Sequence, residues 1–104
     1  MKEGKYKQEN KEEKKMTGTM VQIRKGSTID GILIHEEVIT GTVVKVNAKS
    51  IRVHMSHVKY LTNGELVREH DMDEVANFKF WKTSVDGTAN IYKNPKYGVF
   101  KIVR

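Results

Sequence analysis

Apolar and polar residues alternate along most of this chain, as they do in half-buried β-strands. Short alternating segments occupy residues 19–24, 41–46, 51–55, 58–61, 66–68, 78–82, 89–93 and 99–103. Asp30 and Gly31 interrupt the apolar residues between 28 and 40, which fits either a long excursion or a strand followed by a turn. Residues 69–75 are too polar for more than a turn or one helical turn. The pattern predicts an all-β domain of about six to seven mostly antiparallel strands, arranged as a barrel or a sandwich.

The first predicted hairpin puts two cations opposite each other. If residues 48–49 form a two-residue loop, Lys45 pairs with Arg52, and Val44 pairs with Val53. The core face of this hairpin is then made of Val44, Val46, Ile51 and Val53. Like charges directly opposite each other are locally destabilising. The Lys45–Arg52 pair is therefore a feature that folding alone does not favour.

A second like-charge pair is predicted in the next hairpin, whose turn is the Asn-Gly at residues 63–64. Its register places Lys59 opposite Arg68. Strict alternation from residues 51–55 would carry Lys59 into the core, so we predict a bulge near residues 56–57 that reverses which side chains face inward. With that bulge, one outward face carries four cations, the basic stripe: Lys45, Arg52, Lys59 and Arg68.

Aromatic residues gather at the third predicted hairpin. With Asp-Gly at residues 86–87 as its turn, Trp81 lies opposite Tyr92. Together with Tyr97 they could form a platform on which unpaired bases stack. The neighbouring cations are Lys79, Lys82 and Lys93. A lone tryptophan and its cross-strand tyrosine more often close a core, and the sequence leaves both interpretations open.

Histidines and carboxylates also cluster in the predicted register. His57 lies opposite His70, with Asp71 and Asp73 beside them. Imidazole and carboxylate groups can bind metal ions, but this spacing matches no zinc signature, so we predict neither a metal nor another cofactor. Protonation of the histidines, His54, His57 and His70, could instead add positive charge to the basic stripe below roughly pH 6.5.

The distribution of charge separates a tail from a domain. The chain has 104 residues with a formal net charge of +6, and residues 1–15 hold six Lys and four Glu with Tyr6 as the only large apolar residue. Such a segment cannot bury enough surface to offset its ordering entropy, so we expect residues 1–16 to be a disordered charged tail and 17–104 to be the β-barrel domain. Residues 16–104 still carry a net charge of +4.

Composition further limits the class of protein. There is no cysteine, which fits a reducing compartment, and no apolar run approaches the roughly 20 residues of a membrane span. We therefore expect a cytoplasmic protein without a membrane segment. No glycine-rich phosphate loop follows a strand, and the serines lack a motif linking them to a base. The sequence does not predict an enzyme.

The spacing of the strands is similar to that of a known group of small barrels. A strand near Val21 is followed by a long first loop and then by Gly-Thr-Val-Val-Lys-Val at residues 41–46, which opens a three-stranded meander. This stretch, to about Phe80, resembles the SH3-like barrels of the Tudor and KOW type, many of which bind nucleic acid or peptides. Residues 83–104 fall outside the resemblance, and an OB-like or PUA-like barrel would accommodate them as well.

These observations lead to two hypotheses. In the first, the protein is a regulatory or accessory factor that binds RNA or single-stranded nucleic acid, because rows of cations release counterions from phosphates. The predicted contact residues are Lys45, Arg52, Lys59, Arg68, His54, Trp81 and Tyr92. In the second, it is a protein-interaction module or a homodimer that pairs through an exposed edge strand, for which residues 99–103 carry little protecting charge. Carboxylates near the basic stripe could also neutralise it, which would weaken the first hypothesis.

Overall fold

Six antiparallel β-strands form a single sheet in the computed structural model, which describes residues 16–103. The strands are β1 (Met20–Ile29), β2 (Ile32–Val46), β3 (Ser50–Thr62), β4 (Glu65–Thr83), β5 (Ala89–Asn94) and β6 (Gly98–Val103). Each strand pairs with the next, and Arg24 of β1 pairs with Val99 of β6, so the strand order closes on itself. The predicted all-β, antiparallel fold is confirmed.

The core lies inside the closed part of the sheet. Its fully buried side chains are Ile23, Val43, Ile51, Val53, Met55 and Phe78. Aromatic rings fill the end near β5 and β6: the Phe78 and Phe100 rings meet edge to face at 5.1 Å, and Tyr92 stacks on Phe100 at 5.5 Å. Edge-to-face and offset-stacked rings are the favoured arrangements of aromatic pairs. This aromatic cluster supports the outward face of β4 and β5.

Closure also depends on one glycine. Gly98 begins β6 with a φ of +127°, a conformation that side-chain-bearing residues rarely adopt. A Cβ at this position would collide with the backbone carbonyl of Arg24. Glycine therefore lets β6 approach β1 at the point where the two strands pair.

The other ends of the first four strands extend beyond this core. The described part of the molecule measures 55 × 31 × 18 Å along its principal axes. Large apolar side chains in the extension are exposed, among them Ile32 and Val67. β4 pairs with β3 from Glu65 to Lys79, whereas its pairing with β5 begins only at Lys79. The extension is therefore a two-faced sheet whose edges no other described strand covers.

The turns predicted at residues 48–49 and 63–64 are correct, and the third connection is a longer loop, residues 84–88, around the predicted Asp-Gly. A bulge follows each of the three. In the first hairpin Lys45 pairs with Arg52 as predicted, and then Val43 rather than Val44 pairs with Val53. Val43 is consequently buried and Val44 is exposed. The prediction that Val44 belongs to the core face is wrong because the extra residue in β2 reverses the alternation.

The β1–β2 connection is a strand and a turn rather than a long excursion. Asp30 and Gly31 both have positive φ, and Ile29 pairs with Ile32 across the turn. Asn63 and Gly64 likewise both have positive φ, as a type I′ turn requires.

Residues 69–75 are strand rather than the predicted turn. They lie within β4 and pair with β3 from Glu69 opposite Lys59 to Val75 opposite His54. Their carboxylates are compatible with a strand because the outward side of this segment faces solvent and imidazoles instead of a core. The polarity of residues 69–75 is therefore compatible with an exposed strand as well as with a turn.

The bulge predicted near residues 56–57 is present. On the β2 side the pairing moves from Gly41–Met55 to Thr40–His57, so Ser56 is an extra residue in β3. Met55 and Val58 both face the core as a result, and Lys59 is exposed. The sequence predicts this bulge because unbroken alternation would bury the unpaired ammonium group of Lys59.

The predicted tail falls almost entirely outside the described residues. Met16, its last residue, packs against the core cluster. Within residues 16–103 no helix combines the length and the hydropathy that crossing a bilayer requires.

Candidate nucleic-acid interface

The structure places one half of the predicted basic stripe as expected. Lys45 and Arg52 lie directly opposite each other on the outward face of β2 and β3. Arg52 also donates from Nε to Asn77 Oδ1 on β4, at 3.2 Å. This contact extends the row across three strands: Lys45, Arg52 and Asn77.

Arg68 lies on the opposite face of the sheet, which corrects the sequence prediction. Val67 is an extra residue in β4, so Arg68 pairs with Tyr60 instead of Lys59. The Arg68 guanidinium carbon lies 4.4 Å from the centre of the Tyr60 ring. Lys59 faces Glu69. The predicted Lys59–Arg68 pair therefore does not form, and the basic stripe is not continuous.

The middle of the outward face is a ladder of imidazoles and carboxylates. His57 contacts Glu69 through Nε2 at 3.0 Å and Asp71 through Nδ1 at 2.8 Å. His54 contacts Asp73 at 2.6 Å. We call these five residues the histidine–carboxylate ladder. It corrects the predicted pairing of His57 with His70, because the β4 register puts Asp71 opposite His57.

Electrostatics in this ladder favour cations over phosphates. The hydrogen bond to Glu69, followed by that to Asp71, raises the pKa of His57 above its ordinary value. Both ring nitrogens are already bonded to different carboxylates, so the imidazole has no free nitrogen for a metal. Among residues 16–103 no group of histidine and acidic side chains is arranged to hold a metal ion.

Trp81 is exposed on the outward face, and two ammonium groups lie over its ring. The pairing passes from Phe80–Tyr92 to Lys82–Ile91, so Trp81 is an extra residue in β4. Its side chain is 46% exposed. Lys82 Nζ lies 4.2 Å and Lys93 Nζ 4.6 Å from the centre of the ring. The indole is thus partly exposed and lies within a local positive field, in cation–π contact with both ammonium groups.

Tyr92, in contrast, belongs to the core. It is 7% exposed and packs between Phe80, at 5.8 Å, and Phe100, at 5.5 Å. The prediction that Trp81 pairs with Tyr92 is wrong because of the bulge at Trp81. Core packing is the correct interpretation for the tyrosine, and the tryptophan stays exposed.

The pairing of β4, β5 and β6 adds cations to this surface. Lys79 lies directly opposite Lys93, and Lys82 lies opposite Ile91, which in turn faces Lys101. These rows adjoin the Arg52 row, since Asn77 and Lys79 are two positions apart on one face, roughly 7 Å along the strand. We call the combined surface the lysine–tryptophan patch: Lys45, Arg52, Lys79, Trp81, Lys82 and Lys93.

The patch contains no carboxylate partner. Within the described part of the chain, none of its five cations takes part in an ion pair. The like-charge pairs Lys45–Arg52 and Lys79–Lys93 therefore remain uncompensated. An exposed aromatic ring among cations that lack carboxylate partners can offer a base a stacking surface and offer phosphates several contacts at once, provided that the ammonium groups move from the ring to the phosphates.

Sequence reasoning placed lysines next to Trp81 but did not place Lys101 in this region. Its position depends on the Ile91–Lys101 pairing across β5 and β6. No sequence motif predicts such a cross-strand contact. The pairing register of the β5–β6 hairpin would have predicted it.

Comparison with known proteins adds no family assignment. No protein-family model, curated protein or solved structure matches this chain. The functional argument therefore depends on the geometry of the chain's own residues.

Proposed function

We propose that this protein binds RNA or single-stranded nucleic acid through the lysine–tryptophan patch. The observation that carries the proposal is the surroundings of Trp81: an exposed indole with Lys82 and Lys93 at 4.2 and 4.6 Å from its ring. Lys79 lies in the adjacent row, opposite Lys93. Each lysine or arginine that neutralises a phosphate releases a condensed counterion, which favours binding at moderate salt.

The two kinds of side chain have different roles in this proposal. Trp81 stacks on a base, while the ammonium groups of Lys79, Lys82 and Lys93 contact phosphates. Stacking on a protein ring requires a base that is not held in a duplex. The patch therefore favours single strands and loops over double helices, and it has little means of reading base edges because its donors are mostly flexible ammonium groups.

A binding role suits this surface better than a catalytic one. Its side chains are cations and an indole, none of which is paired with a general base among the described residues. We propose that the protein acts as a regulatory or accessory factor, whose effect comes from occupying a nucleic acid.

The fluorescence of Trp81 provides the direct test, because it is the only tryptophan in the chain. Titration with a single-stranded oligouridylate should quench the emission, and log K should fall linearly with log salt. The double variant Lys79→Gln/Lys93→Gln should reduce the slope by about 2, since each lost phosphate contact reduces it by about 1.

A matched control separates the patch from net charge. Lys59→Gln/Arg68→Gln removes the same two charges from positions outside the patch and should leave the affinity and the salt slope near those of the wild type. Binding that is independent of salt, or an equal loss in both double variants, would show that the patch is not the interface.

A further inference from the structure

A second surface of the molecule is the long free edge of β4. This strand pairs with β3 along residues 65–79, but with β5 only along residues 79–83. Its backbone from Glu65 to about Asp73 therefore has one side that no described strand covers. The Asp71 carbonyl accepts a hydrogen bond from His70 Nδ1 at 3.0 Å. An uncovered strand edge presents a row of donors and acceptors that an extended chain can pair with.

Charge along this edge selects one kind of partner. Glu69, Asp71 and Asp73 project on the outward side, and the side chains of Asp71 and Asp73 are 94% and 91% exposed. Their partners there are the imidazoles of His54 and His57. Lys59, although it lies opposite Glu69, makes no ion pair among the described residues. The edge therefore repels a second acidic strand and attracts a basic one.

The other side of the same edge adjoins a groove. This groove has a volume of about 470 Å³ and lies on the inward-facing side of the extension. Val67 and Arg68 of β4 line it together with Tyr60 of β3 and Glu37 of β2. Its lining reaches β4 at Val67 and Arg68, next to this edge. Side chains of an added strand that point away from the carboxylates would have room here.

We propose that the free edge of β4 binds an extended basic peptide as an additional antiparallel strand. Residues directly opposite each other in antiparallel strands share a face. A peptide with Lys or Arg at every second position can therefore place its cations opposite Glu69 and Asp71. The intervening side chains then point toward the groove beside Val67 and Arg68. Main-chain hydrogen bonds supply affinity, and the alternating charges supply selectivity.

The experiment uses the full-length protein and a defined probe. The probe is a short fluorescent peptide with lysine at alternate positions and threonine or valine between them, and its binding is followed by fluorescence anisotropy. Two N-methylated forms keep the same charge: one is methylated on the lysine amides, the other on the intervening amides. In an added strand only one of these sets bonds to β4, so one form should lose affinity by about tenfold or more while the other binds as the parent does.

Protein variants provide the second comparison. Glu69→Gln/Asp71→Asn should weaken probe binding, whereas Asp30→Asn/Asp86→Asn, which removes the same charge from two connections that do not line the groove, should not. Equal binding of the two methylated probes would overturn the added-strand mechanism, and so would an unchanged affinity in Glu69→Gln/Asp71→Asn. The patch variant Lys79→Gln/Lys93→Gln should bind the peptide probe normally. Peptide binding at the β4 edge can therefore be tested independently of nucleic-acid binding at the lysine–tryptophan patch.

Discussion

The outward face of β3 and β4 has two halves that differ in chemistry although they lie on the same strands. In the lysine–tryptophan patch, Arg52 faces Lys45, and Lys79 faces Lys93. In the histidine–carboxylate ladder, His57 faces Asp71 and also contacts Glu69. The difference comes from the cross-strand partner rather than from either strand alone. The local sequence of β3 supplies cations to both halves; its neighbours decide whether these cations stay available.

The two halves also differ in what folding alone favours. The ladder pairs groups that attract each other. In the patch, cations lie directly opposite each other, and each such pair destabilises the fold by an amount on the order of 0.2–1 kcal/mol. The patch lies over the aromatic cluster of Phe78, Tyr92 and Phe100, where the core is well packed. Local conflicts of this kind are expected where a protein binds something.

The largest expected effect is on stability, and it distinguishes the core beneath the patch from the extension. Phe78 is fully buried, so Phe78→Ala should lower the free energy of unfolding by about 3–5 kcal/mol. Val67→Ala, in the extension, removes a side chain that is 63% exposed and should change it by no more than about 0.5 kcal/mol. Chemical denaturation measures both. Similar losses in the two variants would contradict the assignment of the core to the closed part of the sheet.

The next effect concerns the stacking residue. Trp81→Ala should weaken binding of single-stranded RNA by about 1–3 kcal/mol, the usual contribution of a base stacked on an aromatic ring. Anisotropy of a labelled oligonucleotide measures it, since the variant lacks the fluorophore. Tyr92→Phe keeps the buried ring and should bind normally. An affinity that Trp81→Ala leaves unchanged would limit the interface to phosphate contacts.

A smaller effect distinguishes single cations in the two halves. Lys82→Gln should reduce the salt slope of RNA binding by about 1, because it removes one phosphate contact. Lys59 lies opposite Glu69 and outside the patch, so Lys59→Gln should leave the slope unchanged. If the two variants reverse this order, the interface lies toward the ladder.

The smallest effect is a titration within the ladder. Hydrogen bonds to Glu69 and Asp71 raise the pKa of His57 above 6.5. NMR titration should show this shift, and Glu69→Gln should reduce it. Because the folded pKa is raised, the stabilisation from these contacts is fully present below the ordinary pKa and is lost as the pH rises through the raised value. A His57 that titrates at or below 6.5 would show that the ladder contacts are not maintained in solution.

Turns were predictable from sequence because specific residues form them. Asn63-Gly64 fixes Leu61 opposite Leu66, and the longer loop that contains Asp86-Gly87 keeps Lys82 opposite Ile91, both in the expected register. A bulge next to each turn then shifts the register by one. Turn residues have strong backbone preferences, whereas a bulge depends on how the whole sheet twists and closes.

The missed bulges share a sequence feature. Each includes one of two consecutive apolar residues, which break strict alternation: Val43-Val44, Leu66-Val67 and Phe80-Trp81. The bulge at Ser56 was predictable because the alternative would bury Lys59. The others lacked such a penalty, since either neighbour of an apolar pair could face the core.

The positions of the bulges explain which parts of the candidate site were predictable from the sequence. Lys45 and Arg52 lie next to a turn, before the first bulge, and their pairing is confirmed. Arg68 lies one residue beyond the bulge at Val67 and was assigned to the wrong face. The exposure of Trp81 and the burial of Tyr92 follow from a bulge that only the three-dimensional register reveals.

The most direct test of the central claim is a map of amide chemical shifts during titration with single-stranded RNA. We predict that the shifts concentrate at residues 79–82 and 91–93 and near Arg52, with the Trp81 indole N–H among the largest. The amides of His57, Glu69 and Asp71 should move little. Shifts concentrated at the histidine–carboxylate ladder, or no shifts at saturating RNA, would contradict the assignment of nucleic-acid binding to the lysine–tryptophan patch.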